Sequence, residues 1–286
     1  MQNAQNRIKQ HSKKMISIFD SDINELTAYV AKNATKVYAY DESKALPVSE
    51  HSELILTKDS AYELGGSDMP CAAATVITGN LPIENKIVLV GKELKEIKND
   101  CNYAKIVILS VKDTAEDEQA IFDLAKSLEY AKYKENVSGY MMRTSVIKQR
   151  EQVRVSKTAI KRGLSFEALG ATTIKSYLAK DVVEAVTVIF VADARIDFMP
   201  LQQFSSHTSQ ILSAFNHILD NVLVDCAHCN LKEICDKVEG MRELHMSLVR
   251  YFEYNYVRHG LFQNHVRYVH RVLSQAVPFL FVLYKS

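Results

Sequence analysis

Three of the five cysteines fall within ten residues, as Asp225-Cys226-Ala227-His228-Cys229 followed by Cys235, a C-x2-C-x5-C arrangement. Thiolates so close together can bind one metal ion or adjacent irons of a cubane, and sulfur donors favour zinc or iron–sulfur centres. Zinc would want a fourth ligand, which His228 or His245 could supply; a cubane held by three cysteines could leave one iron open to another ligand. The plainer alternative is three small residues buried at a helix junction. Cys71 and Cys101 stand alone, without an evident paired base, and read as packing residues rather than ligands or nucleophiles.

A second group of residues is cationic: Arg143, Lys148, Arg150, Arg154, Lys157, Lys161 and Arg162. Arginine forks beside a helix N-terminus near Ser156 could gather the phosphates of a nucleotide-like cofactor. The alternative is a solvated face balanced by neighbours such as Glu151. In Leu64-Gly65-Gly66-Ser67-Asp68 the paired glycines allow close backbone approach or positive φ, but no Gly-Lys-Ser/Thr follows to make a phosphate loop. Gly-x-Ser-x-Gly, His-Glu-x-x-His and dinucleotide fingerprints are absent from the sequence.

The elements that must position these residues follow from periodicity. Residues 1 to 35 carry Ile18, Phe19, Ile23, Leu26, Val30 and Ala31 on one helical face. Strand-like runs follow at Lys36–Tyr40, Glu53–Thr57, Ala72–Ile77, Lys86–Val90 and Ala104–Val111, separated by turn chemistry such as Gly79-Asn80. A helix is expected from about Ala115 to Leu128, then a strand at Tyr140–Thr144. Ser156 to Leu178 reads as helix broken at Gly163, with Ser165 and Glu167 placed to start a second segment. Ala185–Val191 is an almost continuous apolar strand, and a last helix, Leu201–Val222, delivers the chain to the cysteines. The expected class is α+β: mixed sheets with packed helices, followed by a cysteine-cluster segment and a C-terminal appendage.

With 47% hydrophobic residues in a chain of 286, a substantial core is expected. Lysine plus arginine (35) nearly balance aspartate plus glutamate (34), so no overall field draws the chain to nucleic acid or an anionic membrane, and any anion site must be local. Met1 to Lys14 lacks the apolar stretch of a secretory signal, and Ala276–Tyr284 is too short to span a bilayer. The expectation is a cytoplasmic protein with neither nucleic-acid nor membrane partners. After His245 the composition changes, with five Lys/Arg against the single acidic Glu253 and dense aromatics. The expected organisation is an N-terminal helical segment (1–35), an α+β domain (36–222), a cysteine-cluster segment (223–246) and a basic aromatic appendage (247–286).

Several separated pieces of the chain resemble one family in order: Glu63-Leu64-Gly65-Gly66, Lys86-Ile87-Val88-Leu89-Val90-Gly91, Gln152-Val153-Arg154-Val155-Ser156-Lys157-Thr158-Ala159, and the pair Cys226/Cys229. They are similar to the β subunit of the CO dehydrogenase/acetyl-CoA synthase complex, over roughly residues 36 to 235. Arg154 to Gly163, Arg-x-Ser-Lys-x-Ala-x-x-x-Gly, is the most distinctive shared run. The resemblance implies acetyl-CoA chemistry in one-carbon metabolism, at a nickel site attached to an iron–sulfur cubane, with CO dehydrogenase or corrinoid protein subunits as partners. It makes Arg143, Arg150, Arg154 and Lys157 candidate coenzyme A contacts and Cys226, Cys229 and Cys235 candidate ligands of a 4Fe-4S cluster. The chain departs from the family in having no Cys-x-Cys pair, the motif that holds the second nickel, and no fourth cubane cysteine. It therefore reads as an abbreviated relative, either an acyltransferase component or a non-catalytic iron–sulfur or cofactor-binding accessory module.

Overall fold

Apolar runs with period two become strands, and runs with helical period become the helices that cover them. The computed structural model describes residues 17–55, 60–66, 69–112, 118–145 and 150–219. In chain order the strands are β1 (Lys36–Ala39), β2 (Val48–Ser49), β3 (Ala61–Leu64), β4 (Cys71–Thr78) and β5 (Lys86–Gly91), then β6 (Tyr103–Val111), β7 (Asn136–Val137), β8 (Tyr140–Ser145), β9 (Arg150–Ser156) and β10 (Val183–Ala192). The α-helices are α1 (Asp20–Asn33), α2 (Glu118–Ala131), α3 (Lys157–Lys161), α4 (Phe166–Leu178) and α5 (Met199–Leu219). They give a mixed α/β architecture of two five-stranded sheets with packed helices. The cysteine-cluster segment and the C-terminal appendage lie outside the described residues.

The first sheet has the order β1-β5-β10-β6-β4. Its centre, β10, runs parallel to β5 and antiparallel to β6, while β4 joins β6 in parallel. A strand covered on both faces needs a nearly unbroken apolar run, and Val186 to Ala192 is buried at every position. On one face Phe190 stacks on Phe166 of α4 at 4.7 Å between ring centroids, and Tyr103 lies 6.5 Å from Phe190. Burying each such ring contributes about 1.5–3 kcal/mol relative to exposure. The free edge of β4 meets α5, where Ser205 Oγ donates to the Ala73 carbonyl at 2.8 Å and accepts from its amide at 3.4 Å. This side chain satisfies backbone groups that an edge strand would otherwise leave open. Helix α1 buries Ile23, Leu26 and Val30, spaced to share a face, and is tied to α5 by Asp22 Oδ2 at 2.6 Å from His207 Nδ1.

The second sheet, β2-β7-β8-β9-β3, is antiparallel throughout. Its β7–β8 turn is pinned by local chemistry. Gly139, in the β7–β8 turn, has φ +79°, and a Cβ there would come within 2.2 Å of Ala159 Cβ, so only glycine fits. Glu53 Oε2 accepts from Ser138 Oγ and Gly139 N, both at 2.8 Å, and fixes that turn. The two sheets meet at a buried hydroxyl pair, Tyr103 to Tyr140, 2.6 Å apart.

The structure adds the short strands β2 and β7 to the sequence expectation, and differs from it in two places that bear on the arginines. Residues 53–55 form no strand, and Thr57 lies outside the described residues. Instead Glu53 serves the turn and Ile55 packs against Ala61 and Met141, so this segment lies against the second sheet, and the strand is Ala61–Leu64. The other is β9, whose charged residues mask a period-two alternation of buried Val153 and Val155.

Candidate anion-binding site

The β8–β9 ladder places the cationic residues. Its register sets Tyr140 opposite Val155, Met141 opposite Arg154, Met142 opposite Val153, Arg143 opposite Gln152 and Ser145 opposite Arg150. Cross-strand partners share a face of a sheet. Positions 141, 143, 145, 150, 152 and 154 therefore lie on one face, and 140, 142, 153 and 155 on the other. On the second of these Tyr140, Val153 and Val155 are buried, and it is the core face; on the first, Met141 is buried beneath Ile55 and beside Ala61. Three of the sequence-derived candidates, Arg143, Arg150 and Arg154, are thus brought to one face. Position 143, directly across from Gln152, is diagonal to both 150 and 154, and diagonal neighbours lie roughly 7–8 Å apart. Three arginine positions centred on 143 match the reach of a polyphosphate, whose charged oxygens arginine forks bind in pairs.

Arg154 already has a partner. Strand β3 pairs with β9 so that Glu63 stands opposite Arg154. Glu63 Oε1 accepts from Arg154 Nε at 2.7 Å and lies 2.6 Å from Nη2, while Nη1 donates to the Ile55 carbonyl at 3.3 Å. The guanidinium is mostly buried and ties β3, β9 and the segment at Ile55 together. Glu63 is the ion-pair partner that the arginines read alone do not reveal; the signal for it is its place in the Glu63-Leu64-Gly65-Gly66 run. In that motif Gly65, at φ +69°, packs so tightly that a Cβ would lie 2.5 Å from Cys71 Cβ, as paired glycines inviting close approach would suggest.

Lys157 is placed elsewhere. Its Nζ lies 4.8 Å from the ring centroid of Tyr62, a cation–π contact. Tyr62 pairs with Val155 and so belongs to the face opposite Arg154. The helix termini add little anion affinity of their own. Ser156 caps α3, accepting from Ala159 N, but that helix has only five residues. The N-terminus of α4 is filled from within. Ser165 accepts from Ala168 N, and buried Glu93 Oε1 accepts from Phe166 N at 2.7 Å and Leu94 N at 2.9 Å. Glu93 Oε2 accepts from Tyr38 Oη, and burial, reinforced by this carboxylate, drives the Tyr38 hydroxyl far above the ordinary phenol range.

Cys226, Cys229 and Cys235 lie outside the described residues. Their donor set, three thiolates in ten residues, suits an iron–sulfur cluster or zinc. Cys71 and Cys101 are buried, Cys71 opposite Tyr103 on β6 and Cys101 bridged to Leu64. Burial pushes the Cys101 thiol up to about 11, against the opposing pull of Lys92. Among the described residues no group of three or more His, Cys, Asp or Glu is arranged to hold a metal ion, and no helix is long and apolar enough to cross a membrane.

A family model described as "CO dehydrogenase/acetyl-CoA synthase complex beta subunit" matches residues 47–196, which take in the second sheet with its arginine face and all of the first sheet except β1. No curated protein matches the chain.

Proposed function

Since the chain belongs to the family of the β subunit of the CO dehydrogenase/acetyl-CoA synthase complex, we propose that it is an acetyl-CoA synthase-related component of one-carbon metabolism that binds coenzyme A on the outer face of the β8–β9 ladder. The observation that carries the reading is the register that sets Arg143 between Arg150 and Arg154, inside the matched region. Arg143 and Arg150 would bind the cofactor's phosphates, with Arg154 beside them, while Lys157, engaged with the Tyr62 ring on the opposite face, would take no direct part. The phosphates would supply most of the attraction, and binding would weaken with salt. Cys226, Cys229 and Cys235 would hold a 4Fe-4S cluster, which supplies electron-rich thiolate-ligated iron; their place in the chain follows α5. The partners would be CO dehydrogenase or corrinoid protein subunits, and the setting the cytoplasm.

Calorimetric titration with coenzyme A tests the anion face. Arg143→Ala and Arg150→Ala should each weaken binding about tenfold, as expected for lost charge-assisted hydrogen bonds. Unchanged affinity in both variants would move the site elsewhere. Iron and sulfide analysis of anaerobically purified protein tests the cluster, and stoichiometric zinc without sulfide would overturn it.

A second reading is favoured by one specific observation. The sequence holds no Cys-x-Cys, so the second nickel site to which the resemblance points lacks its one-residue-spaced chelate. On this reading the chain is a cluster- or cofactor-carrying accessory module. It predicts that nickel-reconstituted protein without other subunits exchanges no labelled carbon monoxide into acetyl-CoA above a Cys226→Ser control.

A further inference from the structure

We propose that Glu63 is a specificity-determining residue of this anion face: its carboxylate occupies the Arg154 fork, and a phosphate-bearing ligand reaches full affinity only by competing with it. The proposal rests on the coenzyme A reading for the identity of the ligand, but not for the competition itself. Arg154 Nε and Nη2 both engage the single oxygen Oε1 of Glu63, and Nη1 donates to the Ile55 carbonyl. Glu63 is thus an internal anion on the same face and in the same row as the arginines, opposite Arg154 in the register.

The exposures of the two side chains, 15% for Arg154 and 35% for Glu63, decide how the pair behaves. The guanidinium is held in the sheet and cannot follow a ligand outward. The carboxylate is the more exposed partner, so it is the group that can rotate into water. A neutral ligand gains nothing by displacing it. A phosphate carries more charge than a carboxylate and offers more acceptor oxygens, so it can replace Glu63 at the fork. The pair then acts as a filter for multiply charged ligands. Without Glu63 the arginine face would bear a full additional positive charge and would attract small anions of any kind.

The test compares the full-length protein with Glu63→Gln, Arg154→Gln and the double variant. Coenzyme A and inorganic tripolyphosphate are titrated separately at low and high salt, and thermal melting is recorded for each protein. Glu63→Gln should bind tripolyphosphate roughly fivefold more tightly at low salt, the size expected for removing a competing, partly exposed ion pair. The gain should shrink at high salt and vanish in the double variant. Equal or weaker binding by Glu63→Gln, with a lowered melting temperature, would overturn the proposal and make Glu63 a strut of β3. If the wild-type protein fails to bind coenzyme A while Glu63→Gln still gains affinity for tripolyphosphate through Arg154, the competition stands and the coenzyme A reading falls. No difference between Glu63→Gln and the double variant would overturn the competition whatever coenzyme A does.

Discussion

The two sheets solve opposite problems with the same number of strands. The first is buried on both faces at its centre: β10 is buried from Val186 to Ala192, with Thr187 the one polar residue in that run, and its neighbours β5 and β6 run parallel and antiparallel to it beneath the helices. The second carries the apolar residues Tyr140, Val153 and Val155 on one face. Its other face carries Arg154 and Glu63 and the positions of Arg143 and Arg150, partly covered where Ile55 meets Ala61 and Met141. A sheet buried on both sides can hold shape but offers little surface for recognition. One with a half-open face can present charge in a fixed register. The difference teaches that the first sheet is given over to apolar packing while the second sets charged residues in a fixed register, with Tyr103 and Tyr140 joining the two.

Substitutions can break that division, and the largest effect should come from the first sheet. Phe190→Ala removes the ring stacked on Phe166 and leaves a cavity, so it should cost about 3–5 kcal/mol, measured as a fall in the denaturant midpoint at unchanged slope. Next is Gly139→Ala in the second sheet. It combines positive φ with a Cβ 2.2 Å from that of Ala159, and should cost roughly 2–3 kcal/mol. Adding Ala159→Gly should recover the steric part and leave the backbone part, which separates the two causes.

A smaller effect is expected at Glu53. Hydrogen bonds from the Ser138 hydroxyl and then the Gly139 amide hold its carboxyl below the ordinary range. A depressed folded value means that this contribution is present above the unfolded carboxylate pKa and is lost as pH falls through the folded one. Glu53→Gln should therefore lower the melting temperature slightly at neutral pH and make no difference in acid. Because the group is exposed and screened, the cost should stay below about 1 kcal/mol. The smallest effect on stability belongs to Cys101, whose thiol is pushed up to about 11 by burial. A raised folded value leaves its contribution intact below the unfolded thiol pKa, and that contribution is lost as pH climbs toward the folded one. Alkylation of Cys101 in the native protein should be slow at pH 8 and accelerate only in strong alkali, followed by peptide mass spectrometry. Fast labelling at pH 8 would show that this end of the first sheet opens readily.

Much of the scaffold was legible locally. Strands β1, β4, β5, β6, β8 and β10 coincide with apolar or alternating runs, and both serine caps stand where a serine precedes a helical pattern, at Ser156 and Ser165. The helix break at Gly163 was equally visible. What local pattern obscured was β9, because Arg150, Glu151 and Gln152 hide the alternation of Val153 and Val155, and β3, because Ile55 looked like strand while serving as a cover. The cysteine cluster is a matter of spacing alone and needs no fold to be noticed.

The candidate site divides in the same way. The sequence determined that cations are concentrated between Arg143 and Arg162, since charge and spacing are properties of the chain itself. Only the tertiary structure decided what they become. Antiparallel pairing put position 143 between 150 and 154; Lys157 passed to the ring of Tyr62, on the other face. Arg154 met Glu63, 91 residues away in the chain. Such a partner cannot be read from local propensity, because the side-chain period of a strand fixes only which residues share a face, while the register of long-range pairing fixes what each of them faces.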